Sequence, residues 1–244
     1  MDANRNPQVS KKFSTSELSS AKAALIRQIE IKSEEDPLIG AKIYSKEILN
    51  RTTHALKREG ALHTESLICA LGSLAGYSCQ STIRQILTDK GQDPDAGFIK
   101  MKGADGKTYF YGDHINAFLL ENKISIWSLA AAACKDSGGK NLIDIGELAA
   151  HVAGTIGKTE FGIPRIEEGH ETSHTPIEYV KQMWSQMLGD MSEFCPNPQH
   201  WPIACGLALQ QGIKMCKDTL DSELALSIAM ESAVPMSKID IDAY

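Results

Sequence analysis

Most of the chain repeats its apolar positions with the 3.6-residue period of an α-helix. Ser14 and Glu17 form a capping box before the first predicted helix, and Asp36-Pro37 begins the second, which continues to Gly60. Further helices are predicted at 64–77, 81–90, 113–120, 126–134, 144–157, 175–189, 202–217 and 222–233. Strands and helices do not alternate regularly, so doubly wound and barrel folds are excluded. The pattern predicts an all-α, mainly helical, compact multi-helix domain.

Residues 98–111 carry the one convincing signal for extended structure. Two short alternating runs flank Asp105-Gly106, a dipeptide that favours a two-residue hairpin turn. With this turn Met101 lies opposite Phe110, and we expect both on the buried face together with Ile99. An isolated hairpin is only marginally stable in water. We therefore expect the inserted β-hairpin to lie on helices or to extend a partner's sheet.

The segment from Thr64 to Tyr77 is apolar on nearly all sides, which is typical of a buried central helix. Gly72 and Gly76 are four residues apart, so they lie on one face and allow another helix to approach closely. Packing within the core explains this strip of small residues. The alternative is a ligand or a second subunit lying against it.

No low-complexity linker divides the chain. We expect a disordered arm at 1–12 and a single helical domain at 13–244. Apolar residues make up 42% of the 244, enough for a hydrophobic core. No apolar run reaches the ~18 residues of a membrane-spanning helix, and the polar start lacks the core of a signal peptide. A soluble, cytoplasmic protein without a membrane partner is therefore expected.

The net charge of -6 argues against a nucleic-acid partner. Residues 1–60 carry a net charge of +3, so the remaining residues carry -9. A basic end and an acidic body could dock between two copies, although ordinary solvated surfaces also explain the asymmetry. Together with the hairpin and the glycine strip, this distribution favours a homodimer.

Six cysteines are scattered without a C-x-x-C pair, so neither a zinc knuckle nor a redox dithiol is predicted. Most lie among Ala, Leu and Ile, as buried thiols do. Cys195 is the exception, because it lies in an irregular stretch with His200 nearby. A reactive thiol is an alternative at this one position.

Residues 158–174 show no period and contain the densest group of titratable side chains. His170 and His174, with Glu167 and Glu171, offer ligands for a divalent metal such as zinc or manganese, or a general acid and base. A ligand lid and a disordered surface loop are the alternatives. Glu147 and His151 are also spaced to grip one ion, but Glu147 is expected to bond back to the Asp144 cap.

The motifs of nucleotide-binding, serine-hydrolase and zinc-protease families are absent. We therefore expect a binding or assembly module without chemistry of its own, which holds a partner subunit or a small-molecule ligand. Its predicted surface is the glycine strip of Gly72 and Gly76 or the hairpin face of Tyr109 and Tyr111. The alternative is a hydrolase-like enzyme, with or without a divalent metal cofactor, that uses the His- and Glu-rich loop at 167–174.

Overall fold

Helices account for 64% of the structure, and the described residues also form two small two-stranded sheets. This confirms the mainly helical fold and the hairpin near 98–111. The computed structural model describes residues 15–58 and 60–244. The chain forms two compact units, and the boundary between them lies between Ile39 and Gly40. The arm at 1–12 lies outside the described residues, and the single domain at 13–244 stays a prediction.

The first unit contains α1 (Thr15–Lys32). The other helices are α2 (Ile39–Leu56), α3 (Thr64–Asp89), α4 (Asp113–Asn116), α5 (Ile126–Asp136), α6 (Ile145–Thr155), α7 (Pro176–Phe194), α8 (Trp201–Cys216) and α9 (Ser222–Met236). A small hairpin that the sequence did not predict pairs β1 (Lys57–Arg58) with β2 (Ala61–Leu62), and the expected one pairs β3 (Ile99–Lys102) with β4 (Thr108–Tyr111). Within the described residues, no helix is long and apolar enough to cross a membrane.

Thr175 and Asp144 cap α7 and α6 as the sequence predicts. At the start of α7 the Thr175 hydroxyl accepts from the Glu178 N–H, and the Glu178 carboxylate accepts from the Thr175 N–H, which makes the predicted capping box. Asp144 caps α6 by accepting from the N–H groups of Gly146 and Glu147. The Ser14 cap predicted for α1 lies outside the described residues.

Helix α3 is the centre of the core, since every residue from Ser66 to Gln80 is buried and α3 packs against α7, α8 and α9. The two helices predicted at 64–77 and 81–90 are one continuous helix. The polar residues between them do not break it, because each finds a partner. Ser78 donates to the Ala75 carbonyl (2.6 Å), and the Gln80 amide donates to the Ile239 carbonyl (2.7 Å).

Gly72 and Gly76 lie at the crossing of α3 and α9. A methyl group on either glycine would overlap a backbone carbonyl of α9, that of Ala229 or that of Ala233. The two helix backbones therefore approach more closely than side chains would allow. This corrects the prediction of a partner surface here, because α9 of the same chain occupies the strip.

The hairpin register differs by one residue from the prediction. Gly103 donates to the Lys107 carbonyl (2.9 Å), and Gly106 has a φ of 78°. The loop thus has three residues and ends in a left-handed glycine, whereas the prediction assumed a two-residue turn. Met101 consequently pairs with Tyr109 and not with Phe110. A shift of one residue changes which side chains share a face across the hairpin. Of the three residues predicted on the buried face, Phe110 is buried, whereas Ile99 and Met101 are exposed.

We expect Gly76→Ala to destabilise the second unit by about 3 kcal/mol, because the methyl group forces α3 and α9 apart. Gly189→Ala is the matched control in α7, where nothing lies within 4 Å of the added methyl group. It should stabilise the protein by about 0.5 kcal/mol through helix propensity. Urea unfolding followed by circular dichroism measures both changes. Equal effects of the two substitutions would contradict the close helix crossing.

Candidate functional site

The aperiodic loop at 158–174 is attached to the core at several points. At its beginning the Phe161 ring packs edge-on against Tyr109, with 4.9 Å between the ring centroids. At its end the Ser173 N–H donates to the Ser66 hydroxyl (2.8 Å). Arg165 and His170 anchor the middle through charged side chains on α6, α9 and α3. These contacts hold the titratable residues of the loop in definite positions.

Arg165 joins the loop to α6 and α9. Its guanidinium donates two hydrogen bonds to the Glu147 carboxylate (2.7 and 3.0 Å) and others to Glu231, whose carboxylate also accepts from the Arg165 backbone N–H. The Glu231 side chain is only 9% exposed, so this ion pair lies largely out of contact with water. Hydrogen bonds from Arg165 lower the pKa of Glu147. The Glu147 carboxylate therefore binds Arg165. The prediction that it bonds back to the Asp144 cap is wrong.

His170 and Glu65 form the second anchor. The His170 Nδ1 atom lies 2.8 Å from a carboxylate oxygen of Glu65, which is 13% exposed. Burial alone would raise the pKa of Glu65, but the hydrogen bonds from His170, the backbone and Thr64 together bring it below its usual value. The neighbouring His63 Nδ1 atom lies 2.8 Å from the Ser66 hydroxyl and caps α3. The Glu65 carboxylate therefore fixes the orientation of the His170 imidazole.

The other predicted metal ligands do not join this pair. His174 lies 3.9 Å from Glu178, and Glu171 accepts from the Gly169 N–H (3.1 Å). Glu167 contributes its backbone carbonyl to the His170 N–H (3.2 Å). In the part of the chain that the structure describes, no group of three or more His, Cys, Asp or Glu side chains could hold a metal ion. The geometry gives the predicted metal site no support.

A groove of about 480 Å³ runs beside the His170 imidazole. The loop forms one wall, while the segment before α6 and the start of α9 form the other. Residues of both walls include Leu142, Arg165, Glu167, His170, Glu223 and Ser227. Glu223 is held there by the backbone N–H groups of Lys140 and Asn141 (2.8 and 2.9 Å). The imidazole is the group in this groove that is best placed for proton transfer, because its other nitrogen is already oriented by a carboxylate.

Cys195 is not a reactive thiol. Its side chain is 1% exposed, and burial raises the pKa of the thiol to about 12. The other five cysteines are also free and buried. This agrees with the expectation that they act as small apolar side chains and corrects the alternative at Cys195.

The hairpin presents side chains that the predicted register had placed elsewhere. Ile99 and Met101 are 65% and 46% exposed, although both were expected in the core. Tyr109, expected on the outer face, is 1% exposed and shares a 2.7 Å hydrogen bond with the Tyr244 hydroxyl. The Tyr111 hydroxyl is buried as well. The two tyrosines therefore support the hairpin, and the exposed apolar surface belongs to β3.

The two long edges of the hairpin differ. The outer edge of β4 is covered, because the Phe110 N–H donates to the Lys238 carbonyl (2.8 Å). The backbone N–H and C=O groups of Phe110 point away from β3, so those of its partner Lys100 point away from β4. Lys102 is two residues farther along β3, so its backbone groups point the same way. Among the described residues nothing pairs with this outer edge of β3. Lysines alternating with apolar residues are a sequence signal of such an edge.

We expect Arg165→Met to destabilise the protein by about 2 kcal/mol, because the buried Glu231 carboxylate loses its charged partner. Cleavage by trypsin at Lys158 should become faster in this variant, since the loop loses its middle anchor. Glu147→Gln is the control, because it weakens only the exposed side of the contact. Unchanged cleavage and stability in Arg165→Met would show that Arg165 does not hold the loop.

No protein-family model, curated protein or solved structure matches this chain. No ligand or activity of a relative therefore guides the interpretation of the hairpin edge or of the groove at His170. The function has to follow from the contacts, exposure and charges of these two places.

Proposed function

We propose that this protein is a partner-binding module that takes up an extended segment of another protein along the outer edge of β3. The observation that carries this proposal is the unpaired edge itself, with all four residues of Ile99–Lys102 exposed. Folded proteins ordinarily cover or interrupt an edge that also carries exposed apolar side chains, since it attracts other strands. An added strand would satisfy this edge.

The backbone and side chains of β3 contribute differently to such binding. Lys100 and Lys102 offer two N–H donors and two carbonyl acceptors that point away from β4, which sets the direction of the added strand. Ile99 and Met101 lie on one face and offer apolar contact to alternate residues of the partner. The partner segment should therefore be extended and carry an apolar residue at every second position.

The lysines define the charge of the partner. The Lys100 amine lies 2.8 Å from Asp95, while the Lys102 amine donates to the Gly106 carbonyl (3.3 Å) and has no carboxylate partner among the described residues. A partner strand with acidic residues between its apolar ones complements this face. Two copies of β3 paired antiparallel would place lysines opposite lysines, which is destabilising. The edge thus favours an acidic segment of a different protein over a second copy.

The binding should be weak and reversible. Each cross-strand pair contributes about 0.2–1 kcal/mol, and β3 has four residues. Such a strand supplies a few kcal/mol, which corresponds to dissociation constants of roughly millimolar to micromolar. A module of this kind suits recognition of a flexible segment, with specificity from alternating side chains.

A fluorescein-labelled octapeptide that alternates valine and aspartate tests the proposal by fluorescence anisotropy. Met101→Glu should weaken its binding about tenfold, because a carboxylate replaces an apolar contact and repels the aspartates. Met215→Glu is the matched control, since Met215 is a methionine of α8 with similar exposure, 48% against 46% for Met101. It should bind like the unchanged protein.

A peptide affinity that is equal in both variants would overturn the β3 site. Light scattering distinguishes the other occupant, a second copy of the chain. A 26.6 kDa particle is expected for the isolated protein at micromolar concentration. A dimer that Met101→Glu converts to a monomer would make the homodimer predicted from the sequence the occupant of this edge.

A second candidate function is hydrolysis in the groove at His170. The observation that favours it is the 2.8 Å contact between His170 Nδ1 and the Glu65 carboxylate, an arrangement that fixes the orientation of the imidazole. In this function His170 is the general base and Glu65 is a positioning residue. Glu167 and Ser227 on the groove walls would contact the substrate.

Hydrolysis of p-nitrophenyl acetate, a generic ester, tests this second function. We expect His170→Asn to reduce the rate about a hundredfold, as is usual for the loss of a general base. His114→Asn is the control, because His114 is an exposed histidine on α4. Equal rates in the two variants and the unchanged protein would exclude a catalytic role of His170 toward esters.

A further inference from the structure

The last eight residues, 237–244, form a strap that covers the outer edge of β4. The Lys238 carbonyl accepts from the Phe110 N–H (2.8 Å), and Ile239 forms a bridge with Tyr109. The Gln80 amide of α3 donates to the Ile239 carbonyl (2.7 Å). These contacts place the strap between α3 and the hairpin.

The strap also buries a lysine. Lys238 is 5% exposed, and its amine donates a long hydrogen bond of 3.4 Å to the Asn116 side-chain carbonyl. It lies 5.0 Å from the centre of the Tyr111 ring. No described carboxylate lies within 4 Å of this amine, and the buried Tyr111 hydroxyl has no hydrogen-bond partner within the described ranges either. A charged amine in this place loses most of its hydration without gaining a counter-ion.

The neighbouring titratable groups do not compensate for this charge. From α3 the Cys79 thiol interacts electrostatically with this amine, and from β4 the ring of Tyr111 lies beside it. Burial raises the pKa of both groups, so both are uncharged at neutral pH. The hydrogen bond to α4 is accepted by the neutral amide of Asn116. Burial accordingly lowers the pKa of Lys238 to about 8.

We propose that residues 237–244 are a detachable strap, and that the buried amine of Lys238 keeps its docking weak. The apolar and backbone contacts of Ile239 hold the strap in place, and the hydration of the amine favours its release. Release uncovers the Phe110 N–H and with it the outer edge of β4. The hairpin then has a second edge on which a strand can be exchanged.

The direction of the pH dependence follows from linkage. The docked state lowers the pKa of Lys238, so the released strap binds a proton more readily than the docked one. Docking therefore strengthens as the pH rises from about 8 toward the ordinary lysine value of 10.5, and below about 8 the penalty is constant. Between pH 9.0 and pH 6.5 the equilibrium should move toward release by about tenfold.

Amide hydrogen exchange of Phe110, measured by NMR, reports directly on the strap. The Gly103 amide serves as the reference within the same hairpin, because its bond to Lys107 does not involve the strap. Relative to Gly103, the protection of Phe110 should fall about tenfold from pH 9.0 to pH 6.5. Lys238→Met keeps the length of the side chain without a charge. It should raise the protection at pH 6.5 and remove the pH dependence.

Two further variants separate the charge from the packing. Lys238→Arg stays protonated at both pH values, so its Phe110 protection should be low and nearly independent of pH. Lys135→Met, at an exposed lysine of α5, should behave like the unchanged protein. The proposal is overturned if Phe110 protection in the unchanged protein does not vary with pH relative to Gly103. It is equally overturned if Lys238→Met retains the variation.

Discussion

The close approach of α3 and α9 is the constraint on which the rest of the structure depends. It requires two positions without a Cβ atom, Gly72 and Gly76, opposite the carbonyls of α9. Because α9 lies so close, α3 can be buried along most of its length while α7 and α8 cover its other sides. The ends of α3 and the Glu231 side chain of α9 then become the supports to which the irregular segments attach.

Each of these supports holds a different irregular segment. Near its beginning α3 contributes Glu65, which orients His170, and Ser66, which receives the end of the loop. Farther along, Gln80 binds the strap, and Arg84 lies 4.4 Å above the Phe110 ring of the hairpin. These contacts thus come from one helix, although the groups that they hold lie in the loop, the hairpin and the strap.

The hairpin shows how the chain treats its two edges. The strap covers the edge of β4 and contains the buried lysine Lys238. The edge of β3 carries no cover from the described residues but has lysines, the side chains that discourage pairing with a second copy. The proposed function uses the uncovered edge of β3, and the proposed release of the strap would uncover the edge of β4 as well. The orientation of the imidazole by Glu65 is a separate feature, because it lies in the groove at α9.

The sequence by itself determined the elements whose causes are local. Helical periodicity and the capping box at Thr175 depend on residues a few positions apart, and both predictions are confirmed. The burial of the 64–77 segment follows from its composition alone. Tertiary structure decided the features that depend on distant residues. A three-residue loop replaced the two-residue turn at Asp105-Gly106, so the register moved by one and exposed Met101, while Arg165 drew Glu147 away from its cap. The ion pair of Glu231, the cover over Gly72 and the burial of Lys238 depend equally on segments far away in the chain, because burial and ion pairing are properties of the packed molecule.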